Sequence, residues 1–332
     1  MFARLLFAGM AAALVGTACS SHTTNAASND AITSTHQGHQ EPQPSTNPDA
    51  SKDAEFFKDT PEQFVPFVAA CDPWDDWEKP APPFRIYGST YYVGTCGISA
   101  ILIDAPDGLV LIDSGTEGGA NLVLANIREL GFDPQEIVAV LYSHEHFDHI
   151  GGMAQIQEAT GAPVYAAPDA VSVLETGADN PLDPQAGMHD PMRRVENVIH
   201  LQTGTDITYA GKTFHPIATP GHTYGALSWT WEECEESSGC LTVGYADSLS
   251  PISRDGYRFS DHPDLLARHE AGVEALGQSL CSLLLTPHPS SSRMLRRMRR
   301  GGLIEAASCA YYAIDRFRAM EARLEREASG DQ

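Results

Sequence analysis

The chain has 332 residues and a formal net charge of −23 at pH 7. This length suits one large domain or two small ones. The acidity argues against a nucleic-acid-binding protein, because phosphates are bound by basic surfaces, and no repeat of solenoid or propeller period is visible.

Residues 1–18 predict a secretory signal peptide. Arg4 precedes an apolar stretch from Leu5 to Val15, and small residues follow up to Ala18. The stretch is too short for a stable membrane anchor, so we expect export to the periplasm. Lipidation of Cys19 is a hypothesis, because Gly16 stands where a lipobox usually has an aliphatic residue, and ordinary cleavage after Ala18 fits equally well.

Residues 19–53 predict a disordered tether, because they are rich in Ser, Thr, Asn, Gln and Pro and almost lack bulky apolar groups. Three histidines lie in this tether: His22, His36 and His39. They could bind metal weakly, but a solvated linker is the simpler interpretation. We expect residues 54–332 to form a single folded domain.

The hydrophobic patterns of the domain predict an α+β fold. The predicted strands are 85–93, 98–104, 108–112, 137–141, 163–167, 198–201, 206–209, 213–218, 227–231 and 241–245. The predicted helices are 121–130, about 151–160, 264–276 and 305 to about 327. The segment 177–196, with three prolines and no periodicity, predicts a flexible loop, where Met188 and His189 could touch a substrate, although a plain surface loop is the simpler interpretation.

The sequence Ser-His-Glu-His-Phe-Asp-His at 143–149 carries an H-x-H-x-D-H cluster: His144, His146, Asp148 and His149. No single helical face holds residues at this spacing. A tight loop leaving the predicted strand 137–141 can divide them into two sets, which suits two adjacent metal ions. The alternative is a polar loop whose histidines cap backbone groups.

Two further histidines are candidate ligands. His222 lies in Thr-Pro-Gly-His-Thr and His288 in Leu-Leu-Leu-Thr-Pro-His-Pro, so each is expected in a rigid turn at a strand end. The sequence has no C-x-x-C motif, which would indicate a thiolate zinc site. It has neither G-x-S-x-G nor S-x-x-K, which would indicate a serine nucleophile.

The order of these motifs resembles that of the metallo-β-lactamase superfamily, and in more detail that of the subclass B3 metallo-β-lactamases. The resemblance covers roughly residues 70–326. Its supporting motifs are Thr95-Cys96-Gly97, Leu111-Ile112-Asp113-Ser114-Gly115-Thr116, the H-x-H-x-D-H cluster, Gly221-His222-Thr223, Tyr245-Ala246-Asp247-Ser248-Leu249-Ser250 and Thr286-Pro287-His288-Pro289. It implies an αββα sandwich, in which two mixed β-sheets pack between helices.

The resemblance also implies two zinc ions. The first would be held by His144, His146 and His222, and the second by Asp148, His149 and His288. Three protein ligands and an exchangeable water are typical of catalytic zinc. The same imidazole and carboxylate groups also suit iron or manganese, so zinc is favoured by the family and not by the ligands themselves.

The residue at the end of the predicted strand 241–245 distinguishes branches of the superfamily. The B3 enzymes resemble this chain in having a serine, here Ser248, at the position where other branches place a metal ligand. If Asp247 were in register instead, it would bridge both metals as in glyoxalase-II-like relatives. The string 246–250 favours Ser248, which leaves Asp247 to orient ligands from behind.

The implied activity is zinc-dependent hydrolysis of the β-lactam amide bond by a metal-bridging hydroxide, giving resistance to β-lactams including carbapenems. Asp148 would orient that hydroxide, and Ser248 and Ser250 would bind the substrate carboxylate. We expect a monomer that acts on a small molecule, with membrane contact only through a lipid on Cys19. The alternatives are another dimetal hydrolase, such as a lactonase or thioesterase, and a non-catalytic periplasmic zinc-binding protein.

Six cysteines remain besides Cys19, an even number in an oxidising compartment. Fifteen pairings are possible from sequence alone. Proximity in the chain and the resemblance together favour Cys71–Cys96, Cys234–Cys240 and Cys281–Cys309.

Two further features have alternative interpretations. Trp74, Trp77 and Phe84 could form a wall of the site or pack as core aromatics. The arginines between 293 and 300 could steer an anionic substrate, or they could form the solvated face of a short helix.

Overall fold

The structure, a computed structural model, describes residues 57–330. The predicted signal peptide, the tether at 19–53 and Cys19 lie outside the described residues. The described residues belong to one compact unit.

Seven strands form the first sheet in chain order: β1 (Phe84–Tyr87), β2 (Thr90–Tyr92), β3 (Ile101–Ala105), β4 (Gly108–Ile112), β5 (Ile137–Leu141), β6 (Val164–Ala166) and β7 (Val198–His200). The pairs from β1 to β4 are antiparallel and those from β4 to β7 are parallel. The central strands are buried along almost their whole length, as expected for strands covered on both faces.

Five strands form the second sheet: β8 (Ile207–Tyr209), β9 (Lys212–Ala218), β10 (Leu227–Glu235), β11 (Gly239–Tyr245) and β12 (Leu283–Leu285). Their order is β12-β11-β10-β9-β8. The β11–β12 pair is parallel and the others are antiparallel. Both sheets are therefore mixed.

The inner faces of the two sheets share one buried hydrophobic cluster. Two indoles cross between the sheets with their N–H groups paired. Trp229 Nε1 donates to the main-chain oxygen of Tyr142 at 2.7 Å, and Trp231 Nε1 donates to Thr90 Oγ1 at 3.0 Å. Because a buried indole N–H without a partner is costly, these bonds fix how the sheets pack.

Helices cover both outer faces. They are α1 (Val65–Ala70), α2 (Gly119–Glu129), α3 (Phe147–Ile150), α4 (Met153–Thr160), α5 (Pro168–Thr176), α6 (Pro263–Gln278), α7 (Met294–Met298) and α8 (Ser308–Ser329). The apolar faces of α2 and α4 join the main cluster beside the first sheet. Helices α6 and α8 pack on each other and on the second sheet. The predicted α+β αββα sandwich is confirmed.

The largest differences between the predicted elements and the structure concern one strand and three helices. The predicted strand 85–93 is two strands, because Gly88 turns the chain at φ +54°. The predicted helix 151–160 begins at Met153, after the separate single turn α3. Helices α1 and α5 were not predicted, since each is shorter than the window in which helical periodicity shows.

Three disulfides join Cys71 to Cys96, Cys234 to Cys240 and Cys281 to Cys309. These are the pairs that the resemblance favours among the fifteen. The first and third are buried, whereas Cys234 and Cys240 are exposed. Among the described helices, none combines the length and apolar composition needed to cross a membrane.

Candidate metal centre

The candidate ligands meet because the strand ends that carry them share one edge of the sandwich. Parallel strands β4 and β5 place Asp113 beside the loop that begins at Tyr142, and parallel strands β11 and β12 place Asp247 near His288. Strand β10 runs antiparallel to β11, so the turn before β10 brings His222 to the same edge.

The loop after β5 is fixed by a buried carboxylate. Asp113 accepts hydrogen bonds from the backbone N–H of Ser143 at 2.6 Å, from its hydroxyl at 2.7 Å and from the hydroxyl of Tyr245 at 2.6 Å. Burial raises the pKa of Asp113 to about 6, although His149 and these donors oppose the shift. These hydrogen bonds fix the start of the loop that carries the H-x-H-x-D-H cluster.

The first predicted set comes together in the structure. The closest ligand atoms of His144, His146 and His222 all lie within 4.8 Å of one another. Their ring centroids are 4.7 to 5.1 Å apart. Two loops that are separated by more than seventy residues of sequence therefore supply one three-histidine set.

The second predicted set also converges. Asp148 Oδ2 lies 3.1 Å from Nε2 of His149 and 3.3 Å from Nε2 of His288. Ligand atoms of His144, Asp148 and His149 lie within 4.8 Å of one another, so the two sets are adjacent.

Two rings of the first set are held from behind through Nδ1. Nδ1 of His144 lies 2.9 Å from Asp247 Oδ1, and Nδ1 of His222 lies 2.9 Å from the main-chain oxygen of Ser250. A partner on one ring nitrogen fixes the tautomer and leaves the other nitrogen as a ligand atom. Nε2 of each ring is therefore the atom available to a metal.

The other two rings of the cluster have carboxylate neighbours. Nε2 of His146 lies 3.1 Å from Asp183 Oδ1, which leaves Nδ1 facing the set. Nδ1 of His149 lies 3.6 Å from Asp113 Oδ2, so its Nε2 faces Asp148. The four rings thus offer one nitrogen each to the centre.

The buried nitrogens fit metal ions better than they fit an apolar core. Nε2 of His144 and both ring nitrogens of His149 are buried without a hydrogen bond in the described part of the chain. Orphaned buried nitrogens are costly, and a cation would engage those that face the centre.

The protonation states of two histidines and of Asp148 agree with this fit, whereas burial is outweighed by carboxylate neighbours that raise the pKa of His146 and of His149. Burial, together with neighbouring histidines, holds the pKa of His144 and of His222 well below the usual range. Burial alone would raise the pKa of Asp148, but His149 and His288 hold it well below its usual range. Neutral imidazole and ionised carboxylate are the forms that bind metal.

Comparison with known proteins decides the family. The sequence profile described as the metallo-beta-lactamase superfamily matches residues 93–235. The solved structure of the MIM-2 metallo-beta-lactamase is 46% identical, with a TM-score of 0.76, over 81% of this chain and 99% of that one. The chain belongs to the metallo-β-lactamase superfamily.

Other relatives refine this assignment. MEM-A1, a subclass B3 metallo-beta-lactamase isolated from a soil metagenome library, is 34% identical with a TM-score of 0.73, over 77% of this chain and 100% of that one. Together with MIM-2 it identifies the chain as a hydrolase of the B3 type.

Curated relatives are more distant. A probable metallo-hydrolase of Streptococcus pyogenes is 28% identical over 48% of this chain and 65% of its own length. A hydroxyacylglutathione hydrolase of a Synechococcus strain is 26% identical over 48% of this chain and 68% of its own length. The chain spans less than two thirds of the first of these relatives.

In this metallo-β-lactamase superfamily member, Glu145 joins the two loops of the first set. It is 3% exposed, and it accepts hydrogen bonds from the hydroxyl of Thr223 at 2.6 Å and the N–H of Gly225 at 2.7 Å. Burial raises the pKa of Glu145 to about 7, although these donors oppose the shift. The residue between two predicted ligands therefore positions the loop that carries the third.

The two predicted substrate contacts after β11, Ser248 and Ser250, differ in their surroundings. Ser248 is buried, and its hydroxyl has no hydrogen-bond partner among residues 57–330. The hydroxyl of Ser250 lies 3.1 Å from Nδ1 of His222, beside the ring. Tyr312 of α8 donates its hydroxyl to the main-chain oxygens of Asp247 and Ser248, which fixes this segment.

Aromatic residues line the rim of the centre. The ring of Trp77 lies 6.0 Å from that of His288 and 5.4 Å from that of Phe147. Trp74 is 76% exposed and is not a core residue, whereas Phe84 is buried in the core. Of the three aromatics that could form a wall of the site or pack in the core, Trp77 lies at the rim of the centre and Phe84 packs in the core.

The predicted rim loop 177–196 contains no helix or strand, and it is anchored. Asp183 is 3% exposed and reaches His146, and its main-chain oxygen accepts a hydrogen bond from Arg254 at 2.6 Å. Met188 is 48% exposed, and the ring of His189 lies 4.0 Å from that of Phe147. No sequence pattern marked Asp183, because the loop lacks periodicity.

Proposed function

We propose that the protein hydrolyses the amide bond of β-lactams with two zinc ions. The observation that carries the proposal is the buried pair of adjacent ligand sets in a B3-type fold. His144, His146 and His222 would hold the first zinc, and Asp148, His149 and His288 the second. When bound, the two ions would supply Lewis-acid polarisation of the carbonyl and a nucleophile at neutral pH.

Side chains of the protein then orient the reaction. Ionised Asp148 is placed to accept a hydrogen bond from the attacking water or hydroxide and so to orient it. Ser248 and Ser250 are the candidates to donate to the substrate carboxylate, and the buried hydroxyl of Ser248 has no other partner among residues 57–330. Ser250 lies beside His222, so its hydroxyl first supports that ring. Trp77, whose ring lies beside that of His288, gives the rim of the metal centre an apolar wall.

In the cell this activity would give resistance to β-lactams, including carbapenems. The predicted signal peptide at residues 1–18 supports a periplasmic location. A lipid on Cys19 would in addition attach the enzyme to the membrane. We propose that the enzyme acts as a monomer, since the centre is assembled from one chain.

Hydrolysis of a thioester or lactone is the alternative activity, supported by the likeness to a hydroxyacylglutathione hydrolase. The position of Asp247 favours the β-lactam. Its Oδ1 lies 2.9 Å from Nδ1 of His144 and its Oδ2 accepts the N–H of Leu249 at 2.9 Å. A carboxylate that lies behind the ring of His144 in this way supports a ligand and is not set to bridge two metals.

Turnover by the purified zinc-loaded protein tests the proposal. Nitrocefin and a carbapenem should be hydrolysed, the rates should fall with chelator, and zinc should restore them. S-lactoylglutathione and a homoserine lactone serve as competing substrates. Faster turnover of either would favour the alternative, and no turnover of any with two zinc ions bound would leave a non-catalytic zinc-binding protein.

Variants connect the activity to the residues. His222→Ala or Asp148→Ala should abolish turnover and remove about one zinc ion per chain, while circular dichroism shows a retained fold. His215→Ala is the matched control, because His215 is exposed and pairs with Asp206 away from the centre. Near-normal turnover by either site variant would remove that residue from the mechanism.

A further inference from the structure

A cavity of about 500 Å³ lies between α7 and α8, and none of its lining residues belongs to the metal sets. Its charged lining is predominantly basic. Four arginines line it, Arg293, Arg296, Arg297 and Arg318, together with the carboxylates of Glu305 and Asp315. A net positive cavity is unexpected in a chain whose net charge is −23.

Arg297 forms a fixed part of the wall. Its side chain is 12% exposed, its Nη1 donates to the main-chain oxygen of Leu284 at 2.8 Å, and its Nη2 donates to that of Leu303. The interpretation of the arginine run as a solvated helix face is therefore wrong for Arg297. Its nearest carboxylate, Glu305, lies 3.9 Å from Nε, and Nε has no hydrogen-bond partner in the part of the chain described.

The outer arginines have unused donors. Arg296 of α7 and Arg318 of α8 are exposed, and within residues 57–330 neither has a carboxylate or carbonyl partner. Arg293 makes one long contact, 3.8 Å to Asp315. Hydroxyl groups of Ser291 and Tyr311 line the same cavity.

This arrangement suits one class of ligand. Guanidinium groups from two facing helices can engage a phosphate bidentately from both sides, and the hydroxyls add donors to further oxygens. The volume is in the range of pockets that hold small ligands. Repulsion among like-charged arginines would be relieved by a dianion, whereas a monocarboxylate leaves most donors unused.

We propose that this cavity binds a small anion with phosphate groups, at a site separate from the metal centre. The phosphate belongs to a soluble phosphate ester or to a lipid headgroup. Both sources share the recognised chemistry, and they are distinguished by experiment.

The first measurement uses fructose 1,6-bisphosphate as the probe in isothermal titration of the zinc-loaded protein. We expect one molecule bound per chain, with affinity that falls as salt rises. The double variant Arg296→Gln/Arg318→Gln should weaken binding at least tenfold. Arg128→Gln/Arg326→Gln is the matched control. Both arginines are exposed and lie outside the cavity lining, and the double substitution removes the same charge.

The second measurement is co-sedimentation with phosphatidylglycerol vesicles and with phosphatidylcholine vesicles. Binding to the anionic vesicles alone that is lost in the double variant identifies a lipid headgroup. Bisphosphate binding without vesicle binding identifies a soluble phosphate ester. The proposal is overturned if neither probe binds, or if the double variant binds both as the unmodified protein does, since the metal centre would then account for the affinity.

Discussion

The carboxylate of Asp183 lies 3.1 Å from Nε2 of His146, and it also accepts the N–H of Gln185 at 2.7 Å. One residue of the rim loop therefore holds a predicted metal ligand and shapes the loop itself. The rim and the metal centre are mechanically joined at this contact.

Replacing Asp183 should weaken the first metal site. Asp183→Ala removes the partner that fixes the His146 tautomer, so zinc affinity measured by chelator competition should fall about 10- to 100-fold. Asp183→Asn keeps an acceptor oxygen and should restore most of the affinity. Asp190→Ala, an exposed aspartate of the same loop, is the control. Equal affinity in all three variants would show that the contact is incidental.

Glu145 should prove necessary for both stability and metal binding. Glu145→Ala leaves the N–H of Gly225 and the hydroxyl of Thr223 without their acceptor, so the free energy of unfolding should fall by about 3 kcal/mol in urea titrations. Glu145→Gln should recover much of this loss, because its amide can accept from Gly225 and donate to Thr223.

The control for Glu145 is Glu129→Ala, which changes an exposed glutamate at the end of α2. Zinc affinity should fall with Glu145→Ala and not with Glu129→Ala. A loss of stability without a loss of zinc affinity would contradict the positioning role and leave only a packing role.

Glu327 should make stability depend on acid pH. Its carboxylate accepts the N–H groups of Phe259 and Ser260, each at 2.9 Å, and Nε of Arg323 at 2.8 Å. Burial alone would raise the pKa of Glu327, but these donors lower it from 4.5 to about 2. A depressed pKa in the folded state stabilises the fold above the unfolded value and loses that effect as pH falls towards about 2.

Glu327→Gln should therefore lower the free energy of unfolding by about 2–3 kcal/mol at neutral pH. The difference from the unmodified protein should shrink as pH falls below about 4.5, which urea titrations across this range measure. Glu325→Gln, on the exposed side of the same helix, should show neither effect. A difference that stays constant with pH would exclude the charged hydrogen bonds as its source.

Two disulfides should differ in their contribution to stability. Cys281–Cys309 spans 28 residues and is buried against Gly244, whereas Cys234–Cys240 spans 6 residues and is exposed. In the chain-entropy description, the longer closed loop contributes about 4 kcal/mol and the shorter about 2 kcal/mol. Paired Cys→Ser variants compared by urea titration should follow this order, and the reverse order would rule out loop closure as the main term.

The sequence alone indicated the candidate ligands of the centre, because ligand type and local spacing are properties of neighbouring residues. The H-x-H-x-D-H cluster indicated two metal sets before any fold was known, and the apolar runs indicated most strands. Helices α1 and α5 were missed because short helices are formed mainly by tertiary packing.

The sequence could not show the residues that hold the ligands from behind. Glu145 was visible between two histidines, but its partners lie 78 and 80 residues further along the chain. Asp183 lies in a loop without pattern. The sequence suggested that Arg297 belongs to a solvated helix face. In the structure its guanidinium donates hydrogen bonds to main-chain oxygens of β12 and of the segment after α7.

The sequence thus determined the H-x-H-x-D-H cluster, His222 and His288 as candidate ligands, since each is polar at the end of an apolar run. Only the tertiary structure decided that they meet, which nitrogen of each ring faces inward, and that Asp247 supports His144. The physical reason is that strand order and direction in two sheets bring distant strand ends to one edge. Such pairing depends on long-range contacts, which residue spacing along the chain does not encode.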